Sequence, residues 1–275
     1  MICENVKEIL NKYQIYAKKM YGQNFLLDKN VLEKIIKISN ITKEDIVIEI
    51  GPGIGCLTEY LAINSKCVVA YEIDKDMVEI LHDTLRCYNN VEIKHMDFMK
   101  ADLSEYQNVQ NVKVVANLPY YITTAIITKL LLETKINNFT FMVQKEVGDR
   151  ITGIPNTKDY NALSVIMKYM TNSYLASPVS RNCFYPVPNV ESALLVVSRK
   201  KSDYTPKNEA NFLKFIQNAF LQRRKTLINN LNQAYGINKS KLEEALNENQ
   251  IKINCRAEEL SDVQIFNIYQ TIFEK

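Results

Sequence analysis

The sequence contains no tryptophan, and His82 and His95 are its only histidines among 275 residues. None of its six cysteines forms a Cys-x-x-Cys pair, so we expect no zinc site and interpret the cysteines as reduced thiols. No apolar run approaches the roughly 20 residues that a membrane helix needs. The first eleven residues mix acids with apolar residues, unlike a secretory leader. The composition therefore predicts a cytoplasmic globular protein without a metal.

Charge of either sign is not in large excess, since the formal net charge is only +3. The surplus lies in residues 200–275, which hold 12 Lys and Arg against 9 Asp and Glu, whereas the first 199 residues hold 22 of each. Its densest point is Arg223-Arg224-Lys225. Such a triplet is most often a solvated helix end, and the alternative is a contact with nucleic-acid phosphates.

Short β-rich runs alternate with helical apolar patterns between about residues 30 and 175. The predicted strands are 46–50, 67–71, 91–93, 112–116 and 139–143. This alternation predicts an α/β fold with a doubly wound, mostly parallel sheet. Runs at 174–176 and 193–197 are joined by a proline-containing loop, which predicts a hairpin and hence an antiparallel last strand.

A polar segment at residues 200–208 is typical of a linker, and only helical patterns follow it. We therefore predict two domains. Residues 1–200 form the α/β domain, and residues 201–275 form a small all-α domain.

A glycine-rich turn closes the first predicted strand and opens the first helix of the sheet. It reads Glu49-Ile50-Gly51-Pro52-Gly53-Ile54-Gly55. Glycines there allow a tight turn and a close approach to a ligand, either a dinucleotide or S-adenosylmethionine. The dinucleotide fingerprint needs glycine at position 56, which is Cys56, so the pattern favours S-adenosylmethionine.

Polar side chains end the next strands in order. Glu72 can accept hydrogen bonds from both ribose hydroxyls of either cofactor. Asp97 can accept from an adenine amine, although a plain turn-capping role is equally open. Because ligands of open α/β sheets bind at the carboxyl ends of the strands, these residues and Asn117 are expected to share one site.

Asn117-Leu118-Pro119-Tyr120 is the most specific short motif, at the end of the apolar run 114–116. The Asn117 amide oxygen and the Leu118 carbonyl, turned outward by Pro119, can accept hydrogen bonds from the exocyclic amine of a base. Tyr120 can stack on the base. Four residues alone would occur by chance, so their weight comes from the upstream motifs.

With these motifs in place, the chain resembles the ribosomal RNA adenine N6-dimethyltransferases from about residue 18 to residue 231. Further matching blocks are 19–26, 51–58, 144–147 with Arg150, and 184–193. The resemblance implies a Rossmann-like methyltransferase sheet that binds S-adenosylmethionine, plus a helical RNA-binding domain. Met20 and Tyr21 before Gly22, and Asn161 after Tyr160, depart from the family pattern and leave RNA contacts there open.

The resemblance also implies the roles of individual residues. Cofactor-binding residues carried over by position are Gln23, Asn24, Leu26, Gly51, Gly53, Gly55, Glu72, Ile73, Asp97, Phe98 and Asn117. The implied catalytic group is Asn117, Leu118, Pro119 and Tyr120, with Phe184 as the candidate for stacking on the other face of a flipped adenine. Arg223, Arg224 and Lys225 are the implied RNA contacts.

Residues 220–227, Phe-Leu-Gln-Arg-Arg-Lys-Thr-Leu, resemble the small-subunit branch of the family, as does Leu118 within the motif. That branch implies dimethylation of two adjacent adenosines near the 3′ end of 16S rRNA in the immature 30S subunit, by a monomer, with S-adenosylhomocysteine as product. Three alternatives stay open. They are a 23S rRNA enzyme conferring macrolide resistance, a non-catalytic assembly or transcription factor, and a DNA adenine methyltransferase.

Overall fold

The computed structural model describes residues 1–14 and 23–274. Its contacts divide the chain into two units, 1–148 with 174–199, and 149–173 with 200–275. The strands are β1 (Phe25–Leu26), β2 (Ile46–Ile50), β3 (Cys67–Glu72), β4 (Val91–His95), β5 (Val112–Asn117), β6 (Asn138–Gln144), β7 (Thr171–Val179), β8 (Phe184–Tyr185) and β9 (Ser192–Arg199).

The described helices fall between and after these strands. They are α1 (Val6–Lys12), α2 (Lys29–Ser39), α3 (Cys56–Asn64), α4 (Lys75–Thr84), α5 (Thr123–Glu133), α6 (Lys145–Ile151), α7 (Ala162–Met170), α8 (Glu209–Ala219), α9 (Leu227–Tyr235), α10 (Lys239–Glu248) and α11 (Asp262–Phe273). Short 3₁₀ turns span Ile2–Glu4, Phe98–Lys100, Ser104–Tyr106, Arg181–Cys183 and Ala257–Glu259.

The main sheet of the first unit has seven strands in the order β4-β3-β2-β5-β6-β9-β7. The five strands from β4 to β6 pair in parallel, and β9 pairs with β6 antiparallel. The predicted mixed α/β sheet with an antiparallel last strand is confirmed. Central strands β2 and β5 carry apolar residues on both faces because helices cover the sheet on either side.

The register brings the functional ends of the strands to one edge. Ile50 of β2 pairs with Tyr71 beside Glu72, and Asn117 of β5 pairs with Met142. Because β9 runs in the opposite direction, its first residue, Ser192, pairs with the last residue of β6 at that same edge. The carboxyl edge is therefore built from strand ends and one strand start.

A separate two-stranded ribbon lies within the first unit. β1 and β8 pair antiparallel, with Phe25 opposite Tyr185 and Leu26 opposite Phe184. Two-residue strands carry no alternation pattern, which explains why the sequence did not predict them. The ribbon ties the segment before α2 to the loop before β9.

The second unit is built around aromatic packing between helices. Phe212 of α8 is fully buried and packs edge-on against Tyr169 of α7 and Phe266 of α11. Tyr204 stacks on the rings of both Tyr169 and Phe266. Residues 149–173 also belong to this second unit, because α7 buries its apolar face among these helices. The predicted division at residue 200 places them in the α/β domain instead.

Neither a membrane helix nor a metal cluster is found among the described residues. None of the described helices is long and apolar enough to cross a membrane. Within residues 1–14 and 23–274, no cluster of three or more His, Cys, Asp or Glu side chains could hold a metal ion. The absence of a metal cofactor remains a prediction.

Candidate active site

The glycine-rich turn after β2 exposes backbone to the carboxyl edge. Gly51 and Gly53 have φ angles of 70° and 60°, in the left-handed region that favours glycine. Gly51 donates its N–H to the Tyr71 carbonyl at 2.9 Å. A Cβ on Gly53 would lie 3.0 Å from the Phe25 ring, so another residue would be strained in its backbone and would also have to push the ring aside.

A cavity opens beside this turn, between the ends of β2, β3 and β5 and the segment that leads into β1. It brings together nearly all of the predicted cofactor residues. Those on its wall are Gln23, Asn24, Leu26, Gly51, Gly53, Glu72, Ile73, Asp97, Phe98 and Asn117. The predicted catalytic residues Leu118, Pro119 and Tyr120 line the same cavity.

Gly55 is not among the described residues that line the cavity. It is the N-cap of α3 with φ 96°, and a Cβ there would lie 3.3 Å from Leu81 and 3.4 Å from Leu85. The glycine therefore allows the turn to pack closely on α4 and the residue that ends it. Its predicted cofactor contact is not supported by this position.

Glu72 is held rigidly at the end of β3. Its two carboxylate oxygens accept hydrogen bonds from the Gly53 N–H at 3.1 Å and the Asp74 N–H at 2.9 Å. Burial raises the pKa of Glu72, and these backbone N–H groups oppose that shift. Each oxygen keeps a further lone pair, so the carboxylate can still accept from ligand hydroxyls.

Asp97 combines the two roles considered for it. Its Oδ1 accepts from the Met99 N–H at 2.9 Å and so caps the 3₁₀ turn that begins at Phe98. The residue also lines the cavity. Phe98 beside it packs edge-on against Tyr71, with ring centroids 5.3 Å apart, and forms an apolar wall.

The amide of Asn117 is oriented by a long-range hydrogen bond. Its Nδ2 donates to the Asn24 carbonyl at 3.1 Å, which leaves Oδ1 as the acceptor. Leu118 donates its N–H to the Met142 carbonyl at 3.1 Å. In the described part of the chain no hydrogen bond reaches the Leu118 carbonyl oxygen, so two acceptors adjoin at the strand end.

Tyr120 lies in a turn, in which the Pro119 carbonyl accepts from the Ile122 N–H at 3.2 Å. Its hydroxyl lies 2.6 Å from the hydroxyl of the fully buried Ser192. Burial raises the pKa of Tyr120, which keeps the phenol neutral. This contact fixes the ring at the cavity wall. Ser192 was not predicted, although it belongs to the matched block 184–193.

Phe184 occupies a different place from the one predicted. Its side chain is 1% exposed, belongs to the main hydrophobic core and does not line the described cavity. Pairing of Leu26 with Phe184 holds it there. The plain core role is what this position supports, and the predicted stacking on a base is not.

Glu49 lies just ahead of the glycines of the turn, and no role was predicted for it. It is 1% exposed, lines the cavity, and its Oε2 has no hydrogen-bond partner among the described residues. Desolvation, with a contribution from nearby Glu72, raises the pKa of Glu49 to about 8. A neutral carboxyl at the floor of the cavity follows.

The basic triplet lies in the loop between α8 and α9 of the second unit, and all three side chains are exposed. Arg223 forms an ion pair with Glu258, with its Nε 2.6 Å from a carboxylate oxygen. Neither Arg224 nor Lys225 has an ion pair with any described residue. Asn230 donates to the carbonyls of Ala219 and Gln222 and so supports this loop from below.

Of the departures from the family pattern, only Asn161 lies among the described residues. Met20 and Tyr21, with the rest of the lead-in 19–22, lie outside the described residues. Asn161 caps α7, because its Oδ1 accepts from the Leu163 N–H at 2.8 Å. A capping side chain explains why asparagine suits that position.

The sheet with its antiparallel last strand and the cavity at the carboxyl edge define a Rossmann-like methyltransferase. The model of the ribosomal RNA adenine dimethylase family matches residues 15–274. The chain is 45% identical to a ribosomal RNA small subunit methyltransferase A of Lachnoclostridium phytofermentans, covering 98% of this chain and 96% of the relative. It is 47% identical to a protein of that name from Streptococcus thermophilus, covering 93% and 91%.

Solved structures agree on the fold. The 23S rRNA methyltransferase ErmE superposes with a TM-score of 0.71 at 25% identity, covering 90% of this chain and 99% of that one. A dimethyladenosine transferase from Plasmodium falciparum superposes with a TM-score of 0.74 at 24% identity, covering 89% and 95%. The chain belongs to the ribosomal RNA adenine dimethylase family, and the prediction of an enzyme of this family is confirmed.

Proposed function

We propose that this protein transfers two methyl groups to N6 of each of two adjacent adenosines in a hairpin loop near the 3′ end of 16S rRNA, within the immature 30S subunit. The observation that carries the proposal is the pair of acceptors at the end of β5, the Asn117 Oδ1 and the Leu118 carbonyl. The high identity to relatives named for the small subunit favours that RNA over 23S rRNA.

We propose S-adenosylmethionine as the methyl donor, because the cavity residues fit it. Glu72 presents a fixed carboxylate suited to ribose hydroxyls, and Asp97 with Ile73 and Phe98 offers an acceptor beside apolar walls suited to adenine. The open backbone at Gly51 and Gly53 allows close approach of a ligand. When bound, S-adenosylmethionine supplies a methyl group on a positively charged sulfur, which is already electrophilic.

The residues at the end of β5 make adenine N6 a better nucleophile. The lone pair of N6 is delocalised into the ring, so the amine is planar and weakly reactive. Hydrogen bonds donated by N6 to Asn117 and Leu118 favour a tetrahedral nitrogen whose lone pair is free. Correct alignment of reactants is worth up to about 7–11 kcal/mol, so orientation is the main contribution expected of the site.

A strong general base is not needed in this scheme. Once N6 carries the new methyl group it becomes very acidic and can release its proton afterwards. The second transfer requires that the monomethylated base bind again with its methyl turned away from the acceptors, when only one N6–H remains. Tyr120 would hold one face of the base, and stacking of this kind is worth about 1–3 kcal/mol.

We propose that the second unit binds RNA through Arg224 and Lys225. Both are exposed and have no ion pair with a described residue, whereas Arg223 is already paired with Glu258. The proposal refines the sequence prediction, which gave the three residues equal weight. We also propose that the protein acts as a monomer in the cytoplasm, where ribosomal subunits mature in bacteria.

The deciding experiment maps methylated adenosines by mass spectrometry after incubation with isotopically labelled S-adenosylmethionine. Substrates are 30S and 50S particles that lack the modifications. We expect dimethylation of two adjacent adenosines near the 3′ end of 16S rRNA and none in 23S rRNA. Methylation confined to 23S rRNA would assign the protein to the other branch. Tight binding of 30S particles without any methyl transfer would make it an assembly factor.

A further inference from the structure

Glu49 has a buried oxygen atom without a partner in the wall of the cavity. Its Oε2 makes no hydrogen bond with any residue of 1–14 or 23–274, and the side chain is 1% exposed. Two other described side chains, Thr58 and Asn230, have such an atom, but neither lines the cavity. Because an unpaired buried polar atom is costly, one in a cavity wall points to a ligand that pairs with it.

The charge of the cavity indicates which kind of ligand that is. Glu49, Glu72 and Asp97 line it, whereas none of the described residues on its wall is Lys, Arg or His. The other titratable side chains on the wall are Cys56, Tyr71, Tyr120 and Tyr121. Burial raises the pKa of both Cys56 and Tyr120, so neither adds a charge. The cavity therefore suits a ligand that brings positive charge.

The order of the strands determines which part of the donor meets Glu49. Strand β2 lies between β3 and β5, so Glu49 lies between Glu72 and Asn117 along the carboxyl edge. In the proposed function Glu72 takes the ribose of S-adenosylmethionine, and Asn117 lies beside the methyl acceptor. The amino-acid arm on the donor's sulfur is then left for the end of β2, where it brings an ammonium group.

We propose that Glu49 releases its proton when the donor binds and becomes the counter-charge to the ammonium group of the donor's amino-acid arm. The inference rests on the proposed function, which supplies the donor. The proton leaves the Glu49 carboxyl for solvent and the ammonium keeps its own protons. No bond of the donor forms or breaks.

The protein alone holds Glu49 mostly neutral at pH 7. Burial, with a contribution from Glu72, raises the pKa of Glu49 to about 8, and Thr58 of α3 opposes this shift only in part. A positive charge within hydrogen-bond reach favours the carboxylate and lowers the same pKa. Binding therefore shifts Glu49 from the neutral to the charged form.

The direction of the pH effect follows from this release. Binding that releases a proton becomes stronger as pH rises toward the pKa of the free protein, which is about 8 for Glu49. The α-ammonium group of the ligand titrates at about 7.7–8.0, so it stays charged below pH 7. Between pH 6 and pH 7 the affinity should rise about three- to tenfold.

The test is calorimetry with S-adenosylhomocysteine, which carries the same amino-acid arm and transfers no methyl group. Titrations at pH 7 in phosphate and in Tris, which differ in their heat of ionisation, count the protons released. The wild type should release about one proton per ligand bound. Glu49→Gln should release close to none, and its affinity should stay constant between pH 6 and pH 7.

Glu59→Gln is the matched control. Glu59 is also a buried glutamate, but its carboxylate already accepts from the Ile2 N–H at 2.8 Å and the Tyr88 hydroxyl at 3.1 Å. It does not line the described cavity. This variant should release the same number of protons as the wild type.

A second ligand identifies the group that Glu49 meets. The analogue of S-adenosylhomocysteine with hydrogen in place of the amino group should bind the wild type more weakly and release no proton. Equal release with both ligands would overturn the assignment to the ammonium group. Glu49→Asp, which keeps a carboxyl group, should still release a proton, and this result stands even where Glu49→Gln does not fold.

The remaining outcomes separate the inference from the proposed function. Proton release that persists in Glu49→Gln would overturn the inference and assign the proton to Glu72, whose pKa burial also raises. Binding to the wild type without any proton release would overturn it as well. A wild-type protein that binds neither S-adenosylhomocysteine nor S-adenosylmethionine would instead refute the proposed donor.

Discussion

Replacing Asn117 by alanine is the sharpest perturbation of the proposed site, because that side chain makes two separable interactions. Its Nδ2 donates to the Asn24 carbonyl at 3.1 Å, and its Oδ1 is the acceptor offered to the substrate amine. Alanine removes both. Loss of the hydrogen bond to Asn24 affects the shape of the cavity, and loss of the Oδ1 acceptor affects methyl transfer.

The expected magnitudes differ for the two losses. A single intramolecular hydrogen bond contributes about 0.5–1.5 kcal/mol, so removing the bond to Asn24 should weaken cofactor binding by no more than about tenfold. Removing one oriented hydrogen-bonding group that favours a transition state typically lowers kcat by about 10²–10³-fold. We therefore expect Asn117→Ala to retain most cofactor affinity and to lose most transfer activity.

The assay is single-turnover methyl transfer to 30S particles at saturating S-adenosylmethionine, with cofactor affinity measured by calorimetry. Asn64→Ala is the matched control, because Asn64 also donates its amide to a carbonyl, that of Tyr60 at 2.8 Å, but does not line the described cavity. It should leave transfer unchanged. Near-wild-type transfer by Asn117→Ala, or full rescue by excess cofactor, would refute the acceptor role.

Three further predictions concern stability and RNA binding. Glu49→Gln should remove a pH dependence of the free energy of unfolding, because the folded protein keeps the Glu49 proton up to about pH 8 and wild-type stability therefore falls as pH rises from about 4.5 toward 8. By pH 7 the variant should be more stable than the wild type by up to about 3 kcal/mol, measured by denaturant unfolding without cofactor. Replacing Arg224 and Lys225 together by alanine should reduce the slope of log affinity for RNA against log salt by about 0.7 for each phosphate that the variant no longer neutralises. Asn230→Ala should destabilise the second unit by about 1–3 kcal/mol in denaturant unfolding, since it strips the loop carbonyls of a buried donor.

For each of these three predictions, one result would contradict it. Parallel pH profiles for the wild type and Glu49→Gln would show that Glu49 is ionised in the folded protein. An unchanged salt slope would assign Arg224 and Lys225 to structure, and Arg223→Ala serves as the comparison because its charge is already paired with Glu258. An unaltered unfolding midpoint for Asn230→Ala would mean that the loop is held by other contacts.

The central part of the fold was predictable because burial leaves a local pattern. Strands such as β2 and β5 are predominantly apolar, and the glycine turn that follows β2 marks where that strand ends. Because parallel strands share their carboxyl edge, Glu72, Asp97 and Asn117 could be assigned to one site from their order alone. The structure places all three on one cavity wall.

What the sequence could not predict depends on contacts between distant residues. The α7 pattern shows that one face is buried, but not against which helices, so the grouping of residues 149–173 was missed. Motif membership likewise does not say which way a side chain faces. Phe184 faces the core and Gly55 packs on Leu81 and Leu85, although each belongs to a matched block. The Ser192 contact with Tyr120 needs the register of β9, which no local pattern encodes.

The β1–β8 ribbon has a thermodynamic consequence. It anchors Phe25, and the preceding residue, Asn24, supplies the carbonyl that orients the Asn117 amide. Coupling between binding events is reciprocal: whatever one ligand does to the affinity for a second, the second does equally for the first. Any effect that a cofactor bound at Asn24 and Asn117 has on the affinity for RNA should therefore be matched by an equal effect of RNA on the affinity for the cofactor.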